Sequence, residues 1–393
     1  MDSFHLQRFL KPPERSFFLF GPRGVGKSTW LKENFPGAVW LDLLRGSLFL
    51  DLAAHPDRLA ALAGPHPAGS WVVVDEAQKL PSLLDEVHHL IEEKRWRFAL
   101  CGSSARKLRR GGVNLLGGRA VTRSLGPFSA AELGDRFDLD FALQWGMLPA
   151  VWQGPKDAAD LLDAYVHTYL HSEIAEEGLV RRLPPFARFL TVAGLLNGQV
   201  VNAQNVARES SIPRSTVDQY FSILEDTLLG SFLPPYQPRL RLREPAHKKF
   251  YWFDPGVARA AAGLLRDPLD RSWSGFALET LVLHELGTYN AASEKHRGLF
   301  YYPSGVDREI DFLIETRKSV SGRPPHVIGV EVKLSPRWDR GWEGPLRRLA
   351  AAPKIRVERM IGVYTGDRTW RFDDFDVYPV TEFFKRLHDG LVY

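Results

Sequence analysis

The sequence predicts an α/β protein of several domains, and three observations lead to this prediction. Short apolar segments in the first third end in glycine, aspartate or serine, a pattern typical of strands in a parallel sheet. The middle of the chain shows helical spacing of apolar residues, and the last third carries strand-like segments that alternate apolar and acidic residues. At 393 residues the chain is too long for one ordinary core, so we expect more than one domain.

Composition and charge narrow the class of protein. Hydrophobic residues make up 44% of the chain and charged residues 25%, which is typical of a globular protein. Cys101 is the one cysteine, so an internal disulfide cannot form and a reducing compartment is favoured. No segment reaches the ~18 apolar residues that span a bilayer, and the first residues do not resemble a signal peptide. We therefore expect a cytoplasmic protein with no membrane partner. A net charge of +4 is compatible with nucleic-acid binding through local basic patches but does not by itself predict such binding.

The first chemical motif lies in "SFFLFGPRGVGKSTWL", where an apolar strand leads into a glycine-rich loop and then into a helix. This is the P-loop pattern in its strand–loop–helix context. Lys27 would reach the β- and γ-phosphates of ATP, and Ser28 would bind Mg²⁺. The alternative is a chance glycine-rich turn. The predicted ATP-binding segment comprises Gly21, Pro22, Arg23, Gly24, Val25, Gly26, Lys27, Ser28 and Thr29.

Two further strand ends complete this predicted nucleotide site. "SWVVVDEAQKLP" ends its apolar run at Asp75, which would hold Mg²⁺ through water, and Glu76, which would polarise the attacking water. "RFALCGSSARKL" ends at Ser103 and Ser104, where a polar side chain can sense the γ-phosphate. The carboxyl ends of parallel strands meet at one edge of a sheet, where such folds bind ligands.

The four segments "GPRGVGKS", "VVVDEAQ", "CGSSAR" and "LLGGRAVTRSLGPFS" together resemble a bacterial and archaeal group of AAA+ ATPases with a C-terminal domain of formerly unknown function. The resemblance implies that Arg119 acts as an arginine finger or makes an equivalent contact with the γ-phosphate. Such a finger acts on a neighbouring subunit, so the resemblance also implies a ring-like homo-oligomer, of which a hexamer is one form. The alternative is a surface arginine after a glycine turn.

The middle of the chain is predicted to form a helical lid followed by a winged helix. "VVNAQNVARESSIPRSTVDQYFSILED" contains a short helix, a turn and a second helix that begins after Pro213. The following "YQPRLRLREP" alternates strictly, so its arginines share one face, and "HKKFYWF" returns as the partner strand. The alternative is a module for packing or oligomerisation. Asp218 on the open face of the second helix weakens the case for DNA contact. The predicted DNA contacts are Arg214, Ser215, Gln219, Arg239, Arg241, Arg243, Lys248 and Lys249.

Four polar residues stand out in the last third of the chain. Glu279 interrupts the apolar stripe of "SGFALETLVLHEL", "DREIDFLIE" contributes Asp311, and "VIGVEVKLSP" contributes Glu331 and Lys333. A helix glutamate, a strand aspartate and a strand Glu-x-Lys in this order resemble the PD-(D/E)xK nuclease core. The resemblance implies that Asp311 and Glu331 chelate Mg²⁺, that Glu279 lies beside the metal, and that Lys333 orients a water or neutralises charge. The alternative is a surface pair of Glu331 and Lys333, or a domain that binds without cleaving.

These segments resemble the same family along nearly the whole chain, which implies four domains. They are a P-loop AAA+ core with a parallel sheet (1–129), a helical lid (130–188), a winged helix (189–255) and a restriction-endonuclease-like α/β domain (256–393). The predicted function is ATP-driven processing of duplex or branched DNA, with ATP and Mg²⁺ as cofactors. The alternative is a nucleotide-dependent signalling switch whose C-terminal domain binds a protein and has no nuclease activity.

Overall fold

The computed structural model describes residues 6–103, 116–170, 183–237, 248–304, 309–320 and 323–393. The chain divides into two compact units. One comprises Gln7–Phe128 with Ser222–Leu229, and the other is formed mainly by Ser129–Phe221 and Gly230–Tyr393. Among the described residues, none of the helices is both long and apolar enough to cross a membrane.

The first unit is built on a five-stranded sheet with the order β2-β3-β4-β1-β5. Every pairing in it is parallel, which confirms the predicted parallel sheet. Short 3₁₀ turns lie at Pro56–Arg58, Ala77–Lys79 and Leu116–Gly118. The helices and strands are β1 (Phe17–Phe20), α1 (Lys27–Asn34), β2 (Val39–Asp42), α2 (Gly46–Ala54), α3 (Leu59–Ala63), β3 (Trp71–Asp75), α4 (Leu83–Glu93), β4 (Arg97–Gly102) and β5 (Val121–Ser124).

The sequence of this sheet explains its burial. β1 reads FFLF and is buried at every position, and β3 reads WVVVD with its last four residues buried. Continuous apolar strands of this kind are typical of parallel sheets that are covered on both faces. Because all five strands run the same way, the residues that follow β1, β3 and β4 meet at one edge.

The second unit begins with short helices around a three-stranded antiparallel sheet of order β6-β8-β7. 3₁₀ turns lie at Gly134–Arg136 and Pro155–Asp157, and a π-helical segment covers Tyr165–Leu170. The end of α11, from Ser222, belongs to the first unit. The helices and strands are α5 (Ala130–Leu133), α6 (Leu139–Trp145), α7 (Pro149–Gln153), α8 (Ala158–Ala164), α9 (Leu183–Leu195), β6 (Gln199–Val200), α10 (Ala203–Ser210), α11 (Arg214–Asp226), β7 (Gly230–Leu233), β8 (Lys249–Trp252) and α12 (Pro255–Ala261).

The C-terminal part of this unit is a six-stranded mixed sheet of order β13-β14-β12-β11-β10-β9. β9, β10 and β11 pair antiparallel, whereas β12 runs parallel to β11 and β14 runs parallel to β12. A 3₁₀ turn covers Arg340–Glu343. The helices and strands are α13 (Arg271–Ala292), β9 (Gly298–Pro303), β10 (Glu309–Arg317), β11 (His326–Lys333), α14 (Gly344–Ala350), β12 (Arg356–Tyr364), β13 (Trp370–Phe372), β14 (Phe375–Pro379) and α15 (Val380–His388).

The described part of the predicted wing contains a strand pairing that the sequence did not predict. β8 pairs with Gly230–Leu233 on one side and with β6 on the other. The Tyr236 backbone N–H donates to the Tyr301 carbonyl at 2.7 Å, next to β9. Strand alternation in the sequence could not separate two neighbouring extended segments, because both satisfy the same pattern. Arg239, Arg241 and Arg243 lie outside the described residues, as does Ser104.

Candidate functional site

The glycine-rich loop between β1 and α1 is shaped by its own backbone and by Lys27. Gly24 and Gly26 have φ values of 77° and 89°, a region that only glycine enters without strain. The Lys27 ammonium donates to the Gly21 and Pro22 carbonyls at 2.7 and 2.8 Å, and the residue is 7% exposed. The loop thus holds its lysine in place at the helix N-terminus, where an anion is favoured.

The predicted metal-binding pair of this edge lies in contact. The Ser28 hydroxyl donates to Asp75 Oδ2 at 2.8 Å, across 47 residues of sequence. Hydroxyl and carboxylate oxygens are the hard donors that Mg²⁺ prefers, so the two side chains fit that ion. Glu76 follows directly, with its backbone at φ 58° and its N–H donating to Asp75 Oδ1 at 3.1 Å.

Ser103 lies at the same edge, beyond the end of β4. Its hydroxyl oxygen accepts from the Gln78 amide at 3.2 Å, and the same amide nitrogen lies 2.5 Å from Glu76 Oε2. The structure therefore brings Lys27, Ser28, Asp75, Glu76 and Ser103 to one edge of the parallel sheet, by way of three strand ends. Of the other loop residues, Arg23 and Thr29 are exposed and Val25 is fully buried.

Arg119 forms an ion pair within its own unit. Its guanidinium Nε donates to Glu92 on α4, and its side chain is 38% exposed. The hydrogen bond and charge of Arg119 lower the pKa of Glu92. A role for Arg119 on a neighbouring subunit would require this partly exposed ion pair to open, and such pairs are weak.

Asp311 and Glu331 face each other on neighbouring strands of the C-terminal sheet. The register pairs Phe312 with Val330, which makes Asp311 and Glu331 the next facing positions. Both residues are 3% exposed. Asp311 Oδ2 accepts from the Val332 backbone N–H at 2.7 Å.

Lys333 completes this arrangement. Its ammonium lies 2.6 Å from Glu331 Oε1 and 3.5 Å from Asp311 Oδ2. The other carboxylate oxygen, Glu331 Oε2, is buried and has no hydrogen-bond partner in the described part of the chain. A buried carboxylate oxygen left unpaired is costly, and a cation beside it would remove that cost.

Glu279 lies in a second ion-pair network beside the first. Its Oε2 lies 3.5 Å from the Lys249 ammonium and accepts from the Tyr251 hydroxyl at 2.7 Å. Lys249 also lies 2.5 Å from Glu309 Oε1, and its side chain is 4% exposed. The structure thus places Lys249 in the interior, paired with two carboxylates, rather than on an exposed face of the wing. The positive charge of Lys249 offsets part of the free-energy cost of burying the Glu279 carboxylate on an apolar helix stripe.

Burial and mutual repulsion perturb the acids of this cluster. Burial, with repulsion from Asp311, raises the pKa of Glu331 to about 9 and the pKa of Glu279 to about 7. Burial by itself would lower the pKa of Lys249 and of Lys333, but the surrounding carboxylates raise both. Across the described ranges, no group of three or more His, Cys, Asp or Glu side chains is arranged to hold a metal ion. A metal here would therefore rest on Asp311 and Glu331, with Glu279 already held by Lys249 and Tyr251.

The open face of α11 is exposed where the sequence places it. Arg214, Ser215, Asp218 and Gln219 are exposed, whereas Val217, Tyr220 and Phe221 are buried. The buried side is fixed by aromatic contacts, with ring centroids 5.0 Å apart for Phe186 and Tyr220 and 4.9 Å apart for Phe221 and Phe250. The open face is therefore available to a partner.

Comparison with known proteins divides the chain into three parts. Residues 13–134 match an AAA domain. The chain carries an AAA-family ATPase domain. Residues 136–267 match a domain of unknown function (DUF8612), and residues 274–383 match another (DUF4143). The match to DUF8612 covers most of the predicted lid, the whole of the predicted winged helix and the first twelve residues of the predicted C-terminal domain.

Two relatives and one solved structure are similar to the chain. Uncharacterized protein Rv2008c of Mycobacterium tuberculosis and Uncharacterized protein Mb2031c of Mycobacterium bovis are each 26% identical over 371 residues, which cover 91% of this chain and 78% of theirs. The Orc1 protein of Aeropyrum pernix, solved in complex with DNA, is 12% identical with a TM-score of 0.26 and covers 64% of this chain and 87% of its own. A likeness at that TM-score carries no argument about this chain.

Two residues that shape the AAA domain's site were missed by sequence reasoning. Arg8 donates to the Val25 carbonyl at 2.7 Å and to the Gly126 and Pro127 carbonyls at 2.7 and 2.9 Å, so it ties the P-loop to the chain after β5. Gln78 joins Glu76 to Ser103. Arg8 precedes the motif and gives no signal in the sequence. Gln78 stands within "VVVDEAQ", where a polar residue so close to the acidic pair was a usable signal.

Proposed function

We propose that this protein hydrolyses ATP at its AAA domain and uses the hydrolysis to drive or gate DNA binding and processing by the rest of the chain. ATP hydrolysis is supported by the Ser28–Asp75 hydrogen bond, with Glu76 next to it and Lys27 on the adjoining loop. These four side chains, from two segments far apart in sequence, supply the groups that phosphoryl transfer requires.

The roles within the AAA domain follow from the chemistry of each group. Lys27 would neutralise the β- and γ-phosphate oxygens, and Ser28 with Asp75 would hold Mg²⁺. The ion would supply positive charge to offset the charge that develops on the phosphate oxygens. Glu76 would orient the attacking water and accept its proton. We further propose that Arg119 acts on ATP bound by a neighbouring subunit of a homo-oligomer.

The C-terminal cluster supports a second, metal-dependent site. Asp311 and Glu331 present buried carboxylates on adjacent strands, one oxygen of Glu331 is unpaired, and Lys333 lies beside both. A divalent cation fits this oxygen set, and Lys333 would neutralise a scissile phosphate. The DNA processing that we propose is therefore metal-dependent cleavage of DNA at this site.

Contact with DNA would be made by the open face of α11. Arg214 can pair with a phosphate or a guanine edge, and Ser215 and Gln219 can donate to phosphates or bases. Arg239, Arg241, Arg243 and Lys248 are the further predicted phosphate contacts. Lys249 is excluded from this set, because its ammonium is buried between Glu279 and Glu309.

DNA contact by the open face of α11 is tested by measuring DNA affinity over a range of salt concentrations. Arg214→Ala/Gln219→Ala should weaken binding to a duplex and lower the slope of log K against log salt by about one unit for each phosphate that the protein no longer neutralises. Arg348→Ala, which removes an exposed arginine on α14 instead, is the charge-matched control and should leave both quantities near wild type. Equal affinity and slope in all three proteins would contradict DNA contact by this face.

A protein-binding switch is the second candidate function, and two observations favour it. Asp218 is exposed on the open face and would repel phosphates. Lys249 and Lys333 are already paired with carboxylates inside the molecule. On this alternative the ATPase cycle controls a protein partner, and DNA has no effect on turnover.

A further inference from the structure

Gln78 occupies a position between two groups that the proposed reaction needs. It lies in the 3₁₀ turn that follows Glu76, and it is 4% exposed. Its amide Nε2 lies 2.5 Å from Glu76 Oε2 and 3.2 Å from Ser103 Oγ. All three residues belong to the first unit, so one side chain bridges the end of β3 and the end of β4.

The chemistry of the partners fixes the direction of both hydrogen bonds. An ionised glutamate can only accept, so the amide nitrogen of Gln78 must face Glu76 and donate. The second N–H of that nitrogen then donates to Ser103 Oγ, which leaves the Ser103 hydroxyl proton to be donated elsewhere. Ser103 is thereby oriented as a donor, the role that a phosphate oxygen requires.

The surroundings hold Gln78 in this orientation at a cost. A Cβ atom on Gly102 would lie 2.3 Å from Gln78 Oε1, so the amide fits only because β4 ends in glycine. Gln78 Oε1 is buried and has no hydrogen-bond partner among the described residues. Leaving a buried acceptor unpaired destabilises the folded protein, and the left-handed backbone of Glu76 at φ 58° adds strain. Costs of this kind collect at functional sites.

We propose that Gln78 is a positioning residue that couples recognition of the γ-phosphate by Ser103 to the placement of Glu76. The inference rests on the proposed ATP hydrolysis. The Ser103 hydroxyl donates a hydrogen bond to the γ-phosphate, and the Gln78 amide donates hydrogen bonds to both Ser103 and Glu76. The other carboxylate oxygen of Glu76 stays available for the attacking water. In the reaction the water oxygen bonds to the γ-phosphorus, the water proton passes to Glu76, and the bond from phosphorus to the bridging oxygen breaks so that ADP leaves.

The coupling predicts two separate defects in Gln78→Met, which keeps the length of the side chain and removes the donors. Turnover at saturating ATP should fall roughly 10- to 100-fold while KM changes by less than ~3-fold. The ratio of ATP affinity to ADP affinity, measured by titration without hydrolysis, should also fall, because Ser103 no longer has a fixed hydroxyl direction. In a Glu76→Gln background the same substitution should lower turnover by a smaller factor, because it acts through Glu76.

Controls keep the outcomes separate. Ser103→Ala leaves the Gln78–Glu76 contact intact and should lower the ATP-to-ADP ratio, with a smaller fall in turnover than Gln78→Met causes. If thermal unfolding shows that Gln78→Met does not fold, Ser103→Ala becomes the test of the inference. An unchanged ratio of ATP affinity to ADP affinity in Ser103→Ala then overturns the inference. A folded Gln78→Met with wild-type turnover and ratio overturns it too. A wild-type protein that binds ATP and never hydrolyses it overturns the proposed function, and the affinity ratio alone then decides on Gln78.

Discussion

Glu76→Gln should lower steady-state ATP turnover by roughly 10²- to 10⁴-fold and leave ATP binding within a few-fold of wild type. The substitution keeps the shape of the side chain and its contact with Gln78, but an amide cannot take a proton from water. Lys27, Ser28 and Asp75 are untouched, so the phosphate and metal contacts survive. The protein should therefore retain bound ATP, which is measured as unhydrolysed nucleotide recovered after a single-turnover incubation.

Lys27→Ala is the matched control for that experiment, because it should fail at the earlier step. Loss of the ammonium removes charge-assisted contacts worth about 1.5–3 kcal/mol each, so ATP affinity should fall by at least roughly tenfold. The two variants then separate binding from chemistry. Wild-type turnover in Glu76→Gln would contradict the role assigned to Glu76.

The metal-free protein should lose stability as pH rises from about 5 to about 9. Burial and Asp311 raise the pKa of Glu331 from 4.5 to about 9, so the folded chain keeps a proton that the unfolded chain releases in this range. The stabilisation is complete below pH 4.5 and is lost as pH approaches the folded-state value. The slope from this group approaches ~1.4 kcal/mol per pH unit, and Glu279, whose pKa is raised to about 7, adds to it. Urea unfolding in EDTA at several pH values measures this pH dependence of the free energy of unfolding.

Divalent metal should oppose this loss, and two variants test the reason. Mn²⁺ binds the ionised carboxylates and stabilises the folded state by mass action, so the gain should be largest at high pH. Glu331→Gln should flatten the pH dependence in EDTA and abolish the Mn²⁺ effect. Asp311→Asn should abolish the Mn²⁺ effect as well. A pH dependence that is the same in Glu331→Gln and in wild type would contradict the site.

The nucleotide edge could be predicted from the sequence because its parts are local. The glycine-rich loop, Lys27 and Ser28 are contiguous, and Asp75 with Glu76 ends a strand of unmistakable apolar character. Parallel pairing then fixes where the strand ends meet, so the Ser28–Asp75 contact follows from topology. The juxtaposition of Asp311 and Glu331 was instead an implication of the resemblance to the nuclease core, because alternation shows only which side chains of one strand share a face.

Other parts depend on contacts that no local pattern carries. Lys249 resembles an exposed wing lysine in sequence, and its partners Glu279 and Glu309 are 30 and 60 residues away along the chain. Its strand also pairs with Gly230–Leu233, a segment whose extended character is no stronger than that of the arginine-bearing segment after it. Arg8 binds the P-loop through backbone carbonyls, which every residue has, so the sequence contains no complementary signal.

The rate of ATP hydrolysis with and without duplex DNA tests the central claim most directly. The measurement uses the full chain at saturating ATP and Mg²⁺, with Glu76→Gln as the blank for contaminating activity and Arg214→Ala/Gln219→Ala as the variant impaired in DNA contact. The account predicts that DNA raises the turnover of the wild type, and that the rise is smaller in the double variant at the same DNA concentration. A turnover that is identical with and without DNA, across single-stranded, duplex and branched forms, would contradict a DNA-coupled ATPase and favour a protein-binding switch.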